Sequence, residues 1–262
     1  MRKLKLTLAY DGTAYAGWQR QPGEPTVQEV LEEALERVTG QPVRTLASGR
    51  TDAGVHAWGQ VVGVTTATSL AADTLQRALN AQLPKDVVVR EVSEVGVDFH
   101  PIRDVVKKHY RYVIHDGPVR DVFAWRYSWH YPRRLDEEAM DQAAQPLVGR
   151  HDFASFQSAG APRSSTVRTV YHLQVKRATR ERHDPVLIEI AADGFLYNMV
   201  RAIVGSLVEV GRGARPPEWI TEVLAGRDRG RAGPTAPPQG LFLVEVSYRA
   251  ADRCASPTSS PG

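Results

Sequence analysis

The residues best suited to chemistry lie in one short run, Ala47-Ser48-Gly49-Arg50-Thr51-Asp52-Ala53-Gly54-Val55-His56-Ala57. Glycines at 49 and 54 permit tight backbone turns, so the run is expected to form a loop with Asp52 at its apex. Asp-Ala-Gly is also the ordinary composition of a turn. Arg50 is what raises the interest. A guanidinium close to a carboxylate favours its ionised form, which suits a nucleophile or a base.

A second candidate is Tyr110, in the run Lys108-His109-Tyr110-Arg111-Tyr112. On a strand, spacing of two puts both tyrosines on one face, where either could equally be plain core. The wider stretch 103–134 holds Arg103, Lys107, Lys108, Arg111, Arg120, Arg126, Arg133 and Arg134 against Asp104, Asp116 and Asp121. Tyr110, Tyr112, Phe123, Trp125, Tyr127, Trp129 and Tyr131 are interleaved with them. Such a mixture suits phosphate contact with stacking on bases, and equally a solvated sheet face. Only six of the 33 basic side chains are lysines, and guanidinium groups fit bidentate phosphate contact. The net charge of +3 decides nothing about partners.

Other chemistries lack their residues. No GxxxxGK[ST] loop occurs, and Gly211-Arg212-Gly213 lacks the third glycine of a dinucleotide loop. The histidines at 56, 100, 109, 115, 130, 151, 172 and 183 show no ligand spacing, so no metal is expected. The single cysteine, Cys254, sits in a Ser/Pro-rich tail, a poor place for a nucleophile and consistent with a reducing cytosol. Nothing approaches the ~18 consecutive apolar residues of a membrane span. Leu4, Leu6, Leu8 and Tyr10 alternate with polar or small residues, a strand period and not a signal peptide, so a cytoplasmic protein is expected.

The elements that must position these residues follow from periodicity. A first strand leads into a loop over 11–23. A helix is expected from the capping box Thr26/Glu29, burying Val27, Val30, Leu31, Ala34, Leu35 and Val38, with Glu32, Glu33 and Glu36 outside and Gly40 as its stop. Strands are predicted over 42–46, 60–65 and 87–92, with a helix over 70–81. The second half repeats the order: a strand over 109–114, a helix over 136–148 broken near Pro146, and strands over 169–176 and 186–192. Helices over 196–210 and 217–225 and a strand over 241–248 complete it. Two successive runs of strand, helix, strand, strand, helix, strand predict an α+β fold of two related halves, 1–105 and 106–249. Each half would be a largely antiparallel sheet with helices on one face, the active-site cleft would lie between them, and 250–262 would be disordered.

The run from Gly49 to Ala57 resembles the signature loop of the TruA-type tRNA pseudouridine synthases. Further segments are similar to that family in the same order: Tyr10-Asp11-Gly12 with Gly17-Trp18-Gln19-Arg20-Gln21, Leu79-Asn80-Ala81-Gln82-Leu83-Pro84, and Lys108-His109-Tyr110-Arg111-Tyr112. Asp152-Phe153 with Ser155-Phe156, Met199-Val200-Arg201 with Ile203-Val204-Gly205, and Gly240-Leu241 with Leu243 complete the series. The resemblance runs over about 3–248.

What the resemblance implies is a cofactor-free isomerase acting on tRNA, with Asp52 as its catalytic carboxylate. The target would be uridines at tRNA positions 38 to 40 in the anticodon stem-loop, and the enzyme a homodimer. It further implies that Arg50 helps hold the flipped base, that Tyr110 stacks on the uracil, that Arg201 ion-pairs with Asp52, and that Leu241 packs on the base. Whether Asp52 attacks C1′, attacks the ring or removes a ribose proton stays open. One departure stands out: the family's arginine slot before the tyrosine strand holds Ile102, in Phe99-His100-Pro101-Ile102-Arg103-Asp104-Val105. Arg103 on a strand would point to the opposite face. Two other readings compete. A catalytically silent RNA-binding protein would be expected to lose Asp52 or Tyr110, and another uridine-modifying enzyme would need a methyl-donor site.

Overall fold

The computed structural model describes residues 1–160, 165–179 and 184–249. The tail expected to be disordered, 250–262, lies outside them, as does His183. The chain separates into two compact units: Met1–Val106 together with the chain from Glu245, and Lys107–Val244. The last strand therefore ends in the first unit, whereas the sequence assigned all of 106–249 to the second half.

The first unit runs β1 (Arg2–Tyr10), α1 (Val27–Thr39), β2 (Thr45–Ala47), β3 (His56–Thr66), α2 (Ala72–Gln82) and β4 (Val87–Val95). Its strands lie in the order β4-β1-β3-β2, every pair antiparallel. Alternation along β1 buries Leu4, Leu6 and Leu8 fully, and these stand opposite Val64, Val62 and Gln60 of β3. Leu31 and Leu35 of α1 and Leu75 and Leu79 of α2 are fully buried as well.

Thr26 caps α1 as predicted, its side chain accepting from the Glu29 N–H, and Gly40 ends the helix in the left-handed region with φ +72°. The return half of the box is replaced: the Glu29 carboxylate lies 3.1 Å from Arg20. Glu32, expected outside, turns inward and accepts from both the N–H and the hydroxyl of Thr45 at 2.9 Å, tying α1 to β2. Residues 101–104 form a turn and not a strand. Arg103 is exposed there and bonds Asp104 and the Asp98 carbonyl.

The second unit runs β5 (Val105–Asp116), β6 (Trp129–Tyr131), α3 (Glu137–Ala144), β7 (Gly149–Asp152), β8 (Val167–Arg177), β9 (Val186–Ala192), α4 (Met199–Gly211), α5 (Trp219–Gly226) and β10 (Leu241–Tyr248). Its strand order β10-β5-β9-β8-β7 repeats the first unit's, with β10 for β4, β5 for β1, β9 for β3 and β8 for β2. The expected internal duplication is thus a duplication of topology. Strands β6 and β7 are additions that short, mixed-polarity sequence did not signal, and β6 pairs with β5 in parallel.

Pro146 ends α3 early, leaving a 3-10 turn at Gln145–Leu147. α4 starts three residues later than predicted because Asn198 takes a left-handed conformation, φ 59°, and precedes the first helical residue. Among the described residues no helix is long and apolar enough to cross a membrane.

Candidate active site

Asp52 sits in the loop joining β2 to β3, half-buried, with Arg50 exposed beside it. The apex is a four-residue turn: the Val55 N–H donates to the Asp52 carbonyl at 3.1 Å, and its third residue, Gly54, has a positive φ, +75°, that glycine adopts without strain.

The loop rests on the chain that follows β1. The Trp18 N–H donates to the Thr51 carbonyl at 3.0 Å, and the Gly54 N–H donates to the Tyr15 carbonyl at 3.3 Å. Two glycines make that approach possible. A Cβ on Gly12 would stand 2.1 Å from the Val55 carbonyl oxygen, and one on Gly17 2.7 Å from that of Thr51. Buried His56 closes the loop's far end: its Nδ1 accepts from the Gly12 N–H at 3.0 Å, with Asp11 Oδ1 3.1 Å away. The Gly12 N–H and the Asp11 carboxylate thus meet the same ring nitrogen and anchor the imidazole between them.

Beneath the loop lies a buried polar cluster. The Tyr10 and Thr51 hydroxyls are 2.8 Å apart. The Gln60 amide nitrogen donates to the Gly49 carbonyl at 2.8 Å, and its oxygen accepts from the Ser48 hydroxyl at 2.8 Å. Burial pushes the Tyr10 phenol up to about 12, opposed by its bonds to Thr51 and Gln60, so it stays neutral.

The other candidates belong to the second unit. Tyr110 lies on β5 opposite Ile190, nearly buried, with its ring edge-on to Phe195 at 5.0 Å between centroids. Tyr112 shares its face and is fully buried, donating to the Pro237 carbonyl at 2.7 Å. Burial drives the Tyr112 phenol well up, and the Arg201 charge only partly opposes this.

Arg201 is not a solvent-facing helix arginine. Its Nε donates to the Ala236 carbonyl at 2.7 Å and its Nη1 to Asn198 Oδ1 at 2.9 Å. Its own carbonyl accepts from the Ala236 N–H at 3.0 Å. The segment that clasps Arg201 continues through Pro237 to Gly240, where a Cβ would lie 2.7 Å from the Tyr112 ring. Leu241 follows at once, 6% exposed. One short stretch of chain thus links Arg201, the tyrosine strand and Leu241 within this unit. Sequence reasoning named Asp52, Arg201, the tyrosines and Leu241 and missed their supports: Gln60 and Tyr10 under the Asp52 loop, and Asn198 and the Ala236 carbonyl on Arg201.

The stretch 103–134 divides into two environments. Tyr110 and Tyr112 are core, whereas Phe123, Trp125 and Tyr127 are 76%, 48% and 42% exposed, with Val119 and Val122 exposed near them. The Arg126 guanidinium lies over the Trp125 ring at 5.3 Å.

A half-buried carboxylate on a braced loop apex, in a duplicated α+β chain, is an arrangement that can serve acid–base or nucleophilic chemistry. The comparisons make this specific. The family model described as tRNA pseudouridine synthase matches residues 7–102 and 143–249, stretches that include Asp52, Arg201 and Leu241 but not Tyr110. The tRNA pseudouridine synthase A of Brevibacillus brevis is 50% identical over 248 residues, 95% of this chain and 100% of the relative. That of Syntrophotalea carbinolica is 47% identical over 252 residues, 96% and 98% of the two chains. Among solved structures, the Cbf5-Nop10-Gar1 complex matches with a TM-score of 0.37 and 13% identity, over 78% of this chain and 45% of that one. The chain belongs to the tRNA pseudouridine synthase family.

Proposed function

We propose that this chain isomerises uridine to pseudouridine in tRNA, with Asp52 as the carboxylate that carries the reaction. The glycosidic bond from uracil N1 to ribose C1′ breaks, the base turns, and a new bond forms from C5 to C1′. The C5 proton leaves and N1 gains one, so atoms and electrons balance without a co-reactant. The observation that carries this reading is the placement of Asp52: half-exposed on a loop braced on its other side, within a chain half identical to a named synthase.

The base must leave its stack, at a cost of a few kcal/mol, and stacking on an aromatic returns about 1–3 kcal/mol. Tyr110 is assigned that stack, Leu241 the opposite face of the base, and exposed Arg50 the hold on the flipped nucleotide. Arg201 is assigned the role of a cation for the carboxylate, as the family resemblance implies. The targets are tRNA positions 38 to 40 in the anticodon stem-loop, and the enzyme works in the cytoplasm as a homodimer. Exposed Val119, Val122, Phe123, Trp125 and Tyr127, apolar side chains crowded on one loop, support contact with a second copy.

The test uses tRNA transcript tritiated at uridine C5, with no added cofactor. Wild type is expected to release tritium and Asp52→Ala to release none while still binding tRNA. Binding without release by the wild type would make the chain a silent RNA binder.

A further inference from the structure

We propose that Gln60 is a positioning residue for the isomerisation, holding from below the turn that presents Arg50, Thr51 and Asp52. This rests on the reaction proposed above.

The register is what singles Gln60 out. Along β1 and β3 the pairs Leu4/Val64, Leu6/Val62 and Leu8/Gln60 all face the core, and Gln60 is 0% exposed. The core pattern calls for an apolar residue there. A primary amide buried without partners is costly, so its presence demands bonds.

Those bonds all go to the catalytic loop or its support. Oε1 accepts from Ser48 Oγ at 2.8 Å, and Nε2 donates to the Gly49 carbonyl at 2.8 Å and toward the Tyr10 hydroxyl at 3.5 Å. Tyr10 in turn is 2.8 Å from Thr51 Oγ1, next in sequence to the carboxylate. One amide therefore fixes residues 48 and 49 directly and residue 51 through Tyr10. None of Tyr10, Ser48 and Gly49 carries a charge at neutral pH, so the brace is purely a matter of hydrogen-bond direction. A leucine would fill the space and hold nothing.

The experiment compares wild type, Gln60→Leu, Gln60→Glu and Ser48→Ala in the tritium-release assay, with urea unfolding to establish the folded fraction. For folded Gln60→Leu, kcat is expected to fall about 100-fold, the scale of misplacing a catalytic group by ~1 Å, with KM for tRNA within about threefold. Gln60→Glu keeps the shape. As a protonated acid it can still donate to the Gly49 carbonyl and accept from Ser48, whereas as a carboxylate it accepts from Ser48 but sets a second acceptor against the Gly49 carbonyl. Its activity relative to wild type should therefore rise as pH falls, a response that a generally loosened core would not give. Ser48→Ala removes the bond to Gln60 Oε1, along with the one to Tyr248, and should lower kcat by about threefold to tenfold, with KM unmoved.

Gln60→Leu that folds with kcat within about twofold of wild type would overturn the proposal. If Gln60→Leu does not fold, a Gln60→Glu pH profile parallel to that of wild type overturns it instead. A wild-type protein that releases no tritium would count against the reaction itself, a separate outcome.

Discussion

The α-carbon of Gly17 packs so closely on Thr51 that a Cβ there would lie 2.7 Å from the Thr51 carbonyl oxygen. Gly17 also has φ +101°, a region that side-chain-bearing residues rarely adopt. The same carbonyl accepts from the Trp18 N–H, so the contact is both a steric limit and a bond. Gly17→Ala should push the Asp52 loop away from its support, abolish most tritium release, and cost ~1–3 kcal/mol or more in urea unfolding. Gly23→Ala is the control. Its φ is +78° but nothing lies within 4 Å of the added Cβ, so it should share the strain penalty and leave kcat unchanged.

Stability at low pH should depend on Asp116. Its side chain is fully buried at the end of β5 and takes two bonds from Arg177, at 2.8 and 3.0 Å, with a third from the Leu135 N–H at 2.8 Å. Burial alone would raise this carboxyl, but the Arg177 bonds and the Leu135 N–H outweigh it and hold it below the usual range. Glu137, bonded to the same guanidinium at 2.7 Å, is held low chiefly by that bond. A carboxyl depressed in the folded state stabilises fully above its unfolded value of about 4, and loses that contribution as pH falls through the lower folded value. Urea unfolding at about pH 7 and about pH 3 should show a larger loss for wild type than for Asp116→Asn. Asp116→Ala should cost about 1–3 kcal/mol at neutral pH by taking from buried Arg177 the carboxylate that holds two of its nitrogens and leaving it Glu137.

What the sequence disclosed, and what it hid, follow from range. Helix α1 was legible because Thr26, the apolar stripe and Gly40 act within a few residues of one another. The duplicated order of elements was legible for the same reason, since each is written in local periodicity. Asp52 drew attention through its neighbours Arg50, Gly49 and Gly54. The supports were hidden because they act across long separations: Gln60 on Gly49, Tyr10 on Thr51, and Ala236 on Arg201. Arg201 in particular has no local sign that a carbonyl 35 residues on will fold back to hold it. Arg103 lies in a turn for a local reason, since the Asp104 side chain accepts from the His100 N–H and closes it.

Tyr110 can be separated into its ring and its hydroxyl. The ring is held edge-on to Phe195 and is only 9% exposed, so removing the oxygen should leave its position unchanged. If the hydroxyl helps deprotonate C5, Tyr110→Phe should keep tRNA affinity and lower kcat by about 10²–10⁴. Tyr110→Leu should weaken binding as well, by the ~1–3 kcal/mol of a lost stack. Steady-state tritium release together with filter binding separates the two effects.

Self-association should depend on the loop between β5 and β6. Phe123 is 76% exposed and Trp125 48% exposed, and Val119 and Val122 on the same loop are exposed too. Water-facing apolar side chains in such number are unusual on a monomer and suit the buried centre of an interface, where aromatic residues concentrate. An acidic side chain placed there would face its own copy across the symmetry axis or enter an apolar pocket, and either is unfavourable. Phe123→Asp combined with Trp125→Ser should therefore convert a dimer into a monomer in sedimentation velocity, while urea unfolding of the protomer changes little. Unchanged size with weakened tRNA binding would assign the loop to RNA instead, because bases stack on the same exposed rings that a second copy would cover.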